Sequence, residues 1–391
     1  MRAFHIFQLS SARQVSLGNR YLMSQVTFVQ GGFSPIGGIE SFAVDLLGAF
    51  QTRHNQTELI CWDAAPGRKN PVFDELARIG VKVYRAGWPW GCRWGWPDKW
   101  MARRFWQRMM EAEVLVFGKI LHESIHRELM KTKKRMVLVT PYRPAEMWKE
   151  RRPDDDILNS FESIVVQAGS FEDDLRKSGY KGHVFVLPYL PPEAREITAW
   201  PASPPLRVGF LGRLVSDKNL EYLIHSFSHL RKMRSEAELH LFGDGPERDR
   251  LQSLSDRTGL AAHVRFHGNL DRSRITAAID SCHIFAFSSR TEGQCLAALE
   301  ILARGRPLVG TPVGAFPEFL TGRLGSVVPL GNPEAFANAM HALARPILNG
   351  EMAPGDVQRA YRSRFPRRQV IERYMQVFGI SHATQRKAQA V

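Results

Sequence analysis

Cysteine is scarce in this 391-residue chain: four occur, Cys61, Cys92, Cys282 and Cys295, and no two are spaced as CxxC. A disulfide framework and a cysteine-rich zinc site are therefore excluded, and a reducing compartment is expected. Long apolar runs are missing as well. No stretch of about 18 apolar residues reads as a membrane-spanning helix, and the start, Met1 to Gln8, is too short and interrupted for a secretion signal. A cytoplasmic location is the expectation. Acidic residues are also in short supply, 39 Asp+Glu against 53 Lys+Arg, leaving a formal charge of +14. Such a field draws in anionic partners, whether nucleic acid, phosphorylated ligands or acidic membrane, without choosing among them. The 44% hydrophobic and 24% charged content is that of a soluble globular protein, which excludes wholesale disorder.

The length leaves room for two domains, and short apolar runs alternate with helical patterns along most of it, the signature of parallel sheets covered by crossover helices. Strands are expected at 25–30, 58–62, 81–84, 114–117, 136–142, 163–167 and 184–188, and again at 207–211, 238–242, 264–267, 284–288, 307–310 and 325–329. The two sets are separated by a proline-rich stretch from Pro188 to Pro205 that continues neither helix nor central strand. The expected fold class is thus α/β, with two doubly wound, Rossmann-like domains facing across a cleft: an N-terminal domain at 1–190 and a C-terminal domain at 205–355. A C-terminal helix follows within 356–380, with Val370, Tyr374 and Phe378 at four-residue spacing, and 381–391 reads as a loose tail. The first strand-loop-helix unit begins near Met23, so residues 1–22 read as an extension or the start lies at Met23. Doubly wound sheets bind ligands beyond the carboxyl ends of their strands, which makes the cleft the place to look for function.

Three motifs fall at strand ends. Gly37 and Gly38 precede a helix with apolar face Ile39, Phe42, Ala43, Leu46, Leu47 and Phe50, and adjacent glycines let backbone amides approach an anion at the positive helix end. The plain alternative is a tight turn. Arg213 and Lys218 follow the strand at 207–211 and offer a planar fork and a point charge for a diphosphate, with Asn219 capping the next helix; two solvated surface cations are the alternative. Glu292 and Glu300 flank Gly293, so paired carboxylates stand ready to accept hydrogen bonds from vicinal hydroxyls, unless Glu292 only caps a helix.

In their order and placement these pieces, with Gly243-Asp-Gly-Pro246, Phe266-His-Gly268 and Thr311-Pro-Val-Gly-Ala-Phe-Pro-Glu318, closely resemble the retaining glycosyltransferases of family 4, which have the two-domain GT-B fold. The resemblance runs from about Gln25 to Phe378 and is strongest over Arg207 to Pro333. It implies transfer of a sugar from a nucleotide-diphosphate donor to a glycan or polyprenyl-diphosphate-linked acceptor, in surface polysaccharide or lipopolysaccharide synthesis, without a cofactor or essential metal. It also implies roles: Arg213 and Lys218 hold the donor diphosphate, Glu292 touches the donor sugar, Glu300 the ribose. Backbone amides at Gly293, Gln294, Cys295 and Leu296 line sugar and phosphate, and Gly268, Asn269 and Leu270 face the base. Many members carry a histidine where this chain has Tyr142 and Arg143. A nucleotide-sugar epimerase of the same fold is the nearer rival, and a basic nucleic-acid-binding protein the more distant one, though no nucleic-acid module is recognisable.

Three further signals compete. His122 to His126 matches HExxH, a zinc-protease pattern, but sits where a crossover helix belongs. Asp154 to Asp156 contains a DxD, read as carboxylates at a helix start. Six of nine tryptophans lie between Trp88 and Trp106; with Trp94, Trp96, Arg103 and Trp106 among them, the stretch reads as an interfacial anchor on the anionic inner face of the cytoplasmic membrane, or as a core-packing helix beside a Trp-rich lid.

Overall fold

The computed structural model describes residues 26–31, 38–54, 57–63, 71–87, 99–140, 143–144, 148, 152–193 and 196–379. Every strand anticipated from the apolar runs forms, within a residue or two at each end apart from the third and fifth, whose ends differ by three. The first sheet contains β1 (Val26–Gly31), β2 (Thr57–Asp63), β3 (Lys82–Gly87), β4 (Val114–Phe117), β5 (Arg135–Val139), β6 (Ser163–Val166) and β7 (His183–Val186). The second contains β8 (Arg207–Leu211), β9 (Glu238–Phe242), β10 (Val264–Gly268), β11 (Ile284–Phe287), β12 (Leu308–Gly310) and β13 (Gly325–Val327). Strand orders are 3-2-1-4-5-6-7 and 10-9-8-11-12-13. All pairings are parallel, for example Val26 with Thr57 on one side and Val114 on the other.

The first domain's helices are α1 (Gly38–His54), α2 (Pro71–Arg78), α3 (Lys99–Glu111), α4 (Glu123–Met130), α5 (Asp155–Leu158) and α6 (Gly169–Lys177). In the second half come α7 (Leu220–Met233), α8 (Arg248–Arg257), α9 (Arg272–Asp280), α10 (Leu296–Ala303), α11 (Phe316–Phe319), α12 (Pro333–Leu348), α13 (Pro354–Arg364) and α14 (Arg367–Val377). With helices on both faces, the central strands are apolar at every position: all residues of β4 and β11 are buried.

Strand order reverses between β1 and β4 in one sheet and between β8 and β11 in the other. At such a switch point the connections leave in opposite directions and open a crevice beyond the strand ends. The loops after β8 and β11 carry Arg213, Lys218 and Glu292.

One expectation needs correction. The segment 356–380 is two helices, not one: Phe365 leaves the helical region (φ −127°, ψ 69°) ahead of Pro366, because a residue before proline is pushed out of that region. The halves also go to different domains. Gln358 of α13 donates to the Ala303 carbonyl of α10 at 3.0 Å. From α14, Tyr374 and Phe378 insert among Phe42, Phe28 and Phe50 of the first domain, with ring centroids 5.7–5.8 Å apart. The proline-rich connection packs against both halves. Tyr189 and Leu190 are buried with the first core, while Arg306, wholly buried, donates to the carbonyls of Thr198 and Ala199 and stacks on Trp200.

Candidate active site between the two sheets

After β8 the chain turns through Gly212, and the loops following β9 and β10 are stitched to it: Gly212 N donates to Phe242 O, Leu214 N to Asp244 O and Gly243 N to Gly268 O, each at 2.9 Å. Gly243 (φ +136°) permits this approach, since a Cβ there would lie 1.9 Å from the Gly212 carbonyl oxygen. On this platform Arg213 is exposed, and no carboxylate among the described residues pairs with it. A short turn (Ser216–Lys218) then presents Lys218, and the Ser288 hydroxyl at the end of β11 donates to the carbonyls of Lys218 and Asn219 at 3.0 and 2.9 Å. Asn219 stands at the N-cap of α7 in the left-handed region (φ 51°), but its side chain makes no capping bond, so the cap read from the sequence is positional only.

Lys218 Nζ lies 2.6 Å from Glu292 Oε1, and the Ser289 hydroxyl donates to the same oxygen at 2.8 Å. Burial by itself would push the lysine down, yet the Glu292 carboxylate, with the neighbouring Cys295, outweighs it and holds the ammonium above its ordinary pKa. Lys218 therefore stays cationic. Glu292 does not cap a helix: the N-cap of α10 is Cys295, in the left-handed region at φ 58° and without a capping bond. Burial pushes the Cys295 thiol up, further helped by Glu292. The backbone N–H groups of Gln294, Cys295, Leu296 and Ala297 find no acceptor among the described residues. They form an anion-seeking helix start next to Lys218 and Arg213.

Glu300, further along α10, has its carboxyl raised, chiefly by burial, with Arg272 opposing and Asp45 of α1 adding to the rise. Asp45 is raised by burial likewise, against Arg367 and Arg272. The two carboxyls thus stand within electrostatic reach across the domain boundary. Past β10, Asn269 is exposed and Leu270 half-buried; His267, just before Gly268, stacks on Phe242 at 4.4 Å.

On the first domain, Gly38 opens α1, whereas Gly37, Trp94, Trp96 and Tyr142 lie outside the described residues, as do the side-chain surroundings of Arg103. Arg143 does not project freely toward an acceptor: its Nε sits 2.5 Å from Asp174 Oδ2 on α6. The apolar side of α3 is used in the core, with Phe105 and Met109 buried, Trp106 packed against them and Arg108 over the Tyr84 ring. Trp106 is half-buried, as the core-packing alternative expects. The HExxH histidines do not share a helix face. His122 caps α4, whereas His126 is fully buried between Phe117 and Phe161 with its Nε2 accepting from Leu121 N at 3.0 Å. The DxD carboxylates Asp154 and Asp156 bind Arg127 at 2.7 and 2.9 Å at the start of α5.

Residues 205–345 match the family model described as glycosyl transferases group 1. The second domain is thus similar to the group 1 glycosyltransferases, over less than half of the chain. Among curated proteins, the chain is 35% identical over 145 residues to the lipopolysaccharide core biosynthesis glycosyltransferase LpsE of Rhizobium meliloti, covering 37% of this chain and 40% of that one. It is 31% identical over 138 residues to the GDP-mannose-dependent alpha-(1-6)-phosphatidylinositol monomannoside mannosyltransferase of Mycolicibacterium smegmatis, covering 33% and 36%. The chain thus spans less than half the length of these curated relatives. Anabaena HepE, crystallised with UDP and glucose, superimposes with a TM-score of 0.71 over 91% of this chain and 99% of its own at 14% identity. The second domain therefore sits in a GT-B fold made of both sheets.

Gln294, expected to act through its backbone amide, and Glu318, quoted only as the end of a motif, turn their side chains to the first domain. Gln294 is 2% exposed, and its side-chain oxygen accepts from Tyr189 N of the first domain at 2.5 Å. Glu318 Oε1 accepts from Gly169 N at 2.6 Å. The only sequence signal was their membership of family motifs, and a motif does not say which side chain crosses the cleft.

Proposed function

We infer that the chain is a retaining glycosyltransferase that moves a sugar from a nucleotide-diphosphate donor to a glycan or lipid-linked glycan acceptor, in cell-surface polysaccharide or lipopolysaccharide assembly. The observation that carries this reading is the convergence at one switch point of Arg213 and the amides of 294–297, which have no partner among the described residues, with the Lys218–Glu292 pair. A departing nucleoside diphosphate gains negative charge as the glycosidic bond breaks, and fixed cations and N–H dipoles aimed at it act most strongly at that moment. Glu292, already held by Lys218 and Ser289, is placed to accept from sugar hydroxyls. Glu300 is suited to a ribose and the 268–270 loop to a base. Retention follows if the acceptor attacks the face the phosphate leaves and hands its proton to that phosphate. Because this chain's own cations neutralise the leaving group, transfer is expected to survive EDTA.

No helix among the described residues is long and apolar enough to cross a membrane, so a lipid-linked acceptor would be met at the inner membrane face by surface contact. The test is a thermal-shift panel of UDP, GDP, ADP and dTDP with their sugar conjugates, followed by transfer assays with the selected donor. A selective shift abolished by Arg213→Ala is the expected result; no shift with any nucleotide would overturn the reading.

A further inference from the structure

Three main-chain N–H groups of the first domain are held by two side chains of the second, and both acceptors belong to the framework of the donor loop 292–296. Gln294 lies on that loop and binds Tyr189 N. Glu318 ends the segment that braces it. Thr311 Oγ1 donates to Ser289 O at 2.6 Å, and Ala315 N donates to Gly293 O at 3.0 Å. Gly314 (φ +57°) presses so close that a Cβ would stand 2.1 Å from the Gly293 carbonyl oxygen. One turn later, Glu318 reaches across to Gly169 N, and the Ser170 amide also bonds its carboxylate.

The helix that receives it is incomplete alone. The N-cap of α6 is Ala168, which has no polar side chain to offer; Phe171 N donates to its carbonyl at 3.1 Å, while Gly169 N and Ser170 N find their acceptor in Glu318 of the other domain. The carboxylate depends on the contact in turn, since it is half-buried and its partners are those amides together with the nearby Arg364. Separating the domains would uncap α6 and loosen the brace behind Glu292 and Gly293 in one movement.

We propose that Glu318 and Gln294 are positioning residues that couple closure of the two domains to the shape of the donor loop, by docking the N-terminus of α6 and the Tyr189 amide. The proposal rests on the donor-site reading above only for its consequence, not for its mechanics. Cys295 is an internal reporter, because its thiol lies within the loop and is suppressed while the loop is packed. The wholly buried Cys282 serves as the unfolding control.

The experiment is iodoacetamide labelling of the full chain, quantified at Cys295 and Cys282 by mass spectrometry, with the radius of gyration measured by small-angle scattering. Variants are Glu318→Ala, Glu318→Gln and Gln294→Ala. The expected result is Cys295 labelling raised about tenfold or more in Glu318→Ala and Gln294→Ala, Cys282 still protected, and a larger radius. Glu318→Gln should recover much of the wild-type behaviour, since its amide oxygen still accepts. Should Glu318→Ala label Cys282 too, the comparison passes to Glu318→Gln against Gln294→Ala. Unchanged Cys295 labelling, or an unchanged radius in both alanine variants, would overturn the coupling. If the wild type binds none of UDP, GDP, ADP and dTDP, the functional reading fails while the labelling and scattering still decide the latch.

Discussion

Removing the two cations of the donor site one at a time should produce different signatures, because only one is built into the fold. Lys218 is 22% exposed and its partner Glu292 7%, at 2.6 Å. In Lys218→Ala the Glu292 carboxylate keeps only the Ser289 hydroxyl, and an uncompensated buried charge costs about 3–5 kcal/mol. At about 2–4 °C per kcal/mol for a domain of this size, the ligand-free midpoint should drop by roughly 10 °C. Arg213 is exposed with no carboxylate partner among the described residues, so Arg213→Ala should leave that midpoint within about 0.5 kcal/mol of wild type. Both should lose nucleotide affinity, since a charge-assisted phosphate contact contributes about 1.5–3 kcal/mol, roughly 10- to 150-fold in Kd. Scanning calorimetry of the ligand-free variants and titration calorimetry with the preferred nucleoside diphosphate separate the effects. Adding Glu292→Gln to Lys218→Ala should restore most of the lost stability without restoring binding. Equal loss of midpoint in Arg213→Ala and Lys218→Ala, or nucleotide affinity unchanged in either, would refute the reasoning.

Other consequences follow from the same geometry. Burial lowers His126 to about 4 from 6.5, so the fold keeps it neutral while the unfolded chain protonates it. The stability tied to neutral His126 is complete above pH 6.5 and lost as pH falls toward 4, about 2–3 kcal/mol by pH 4.5. Urea midpoints at pH 7 and pH 4.5 should draw closer in His126→Leu than in wild type. Arg306→Met should destabilise by about 3 kcal/mol, read by chemical denaturation, because the carbonyls of Thr198 and Ala199 lose their buried donor while Asp280 keeps Arg304. Truncation after Phe365 should expose the apolar surface of Phe28, Phe42 and Phe50. Strong dye binding by exposed apolar surface, absent from the full chain, is the expected readout.

The thirteen strands among the described residues were legible as short apolar runs, because central strands such as β4 and β11, covered on both faces, select apolar residues at every position. Arg213, Lys218 and Glu292 were legible as motifs at strand ends, and strand order brings them to one switch point. The proline-rich stretch at 188–205 correctly marked where one sheet gives way to the other. Periodicity also found Val370, Tyr374 and Phe378, but could not name the surface they would cover.

That choice belonged to the tertiary structure. An amphipathic helix declares that it has an apolar face and not which domain lies beneath it, so α14 returns to the first sheet although it follows the second, and Phe105 and Met109 of α3 meet the core. Polar side chains are less legible still. Arg143 resembles a free cation until Asp174 is placed beside it, Arg306 resembles a surface charge until the connection wraps over it, and Gln294 and Glu318 resemble loop residues until the amides of Tyr189 and Gly169 arrive. Local sequence determined which segments become strand or helix, since backbone torsion and apolar period are short-range properties. Which charge is buried, paired or left open to a ligand was decided only when segments some 70 to 150 residues apart were brought together, because electrostatic partnership depends on distance in space.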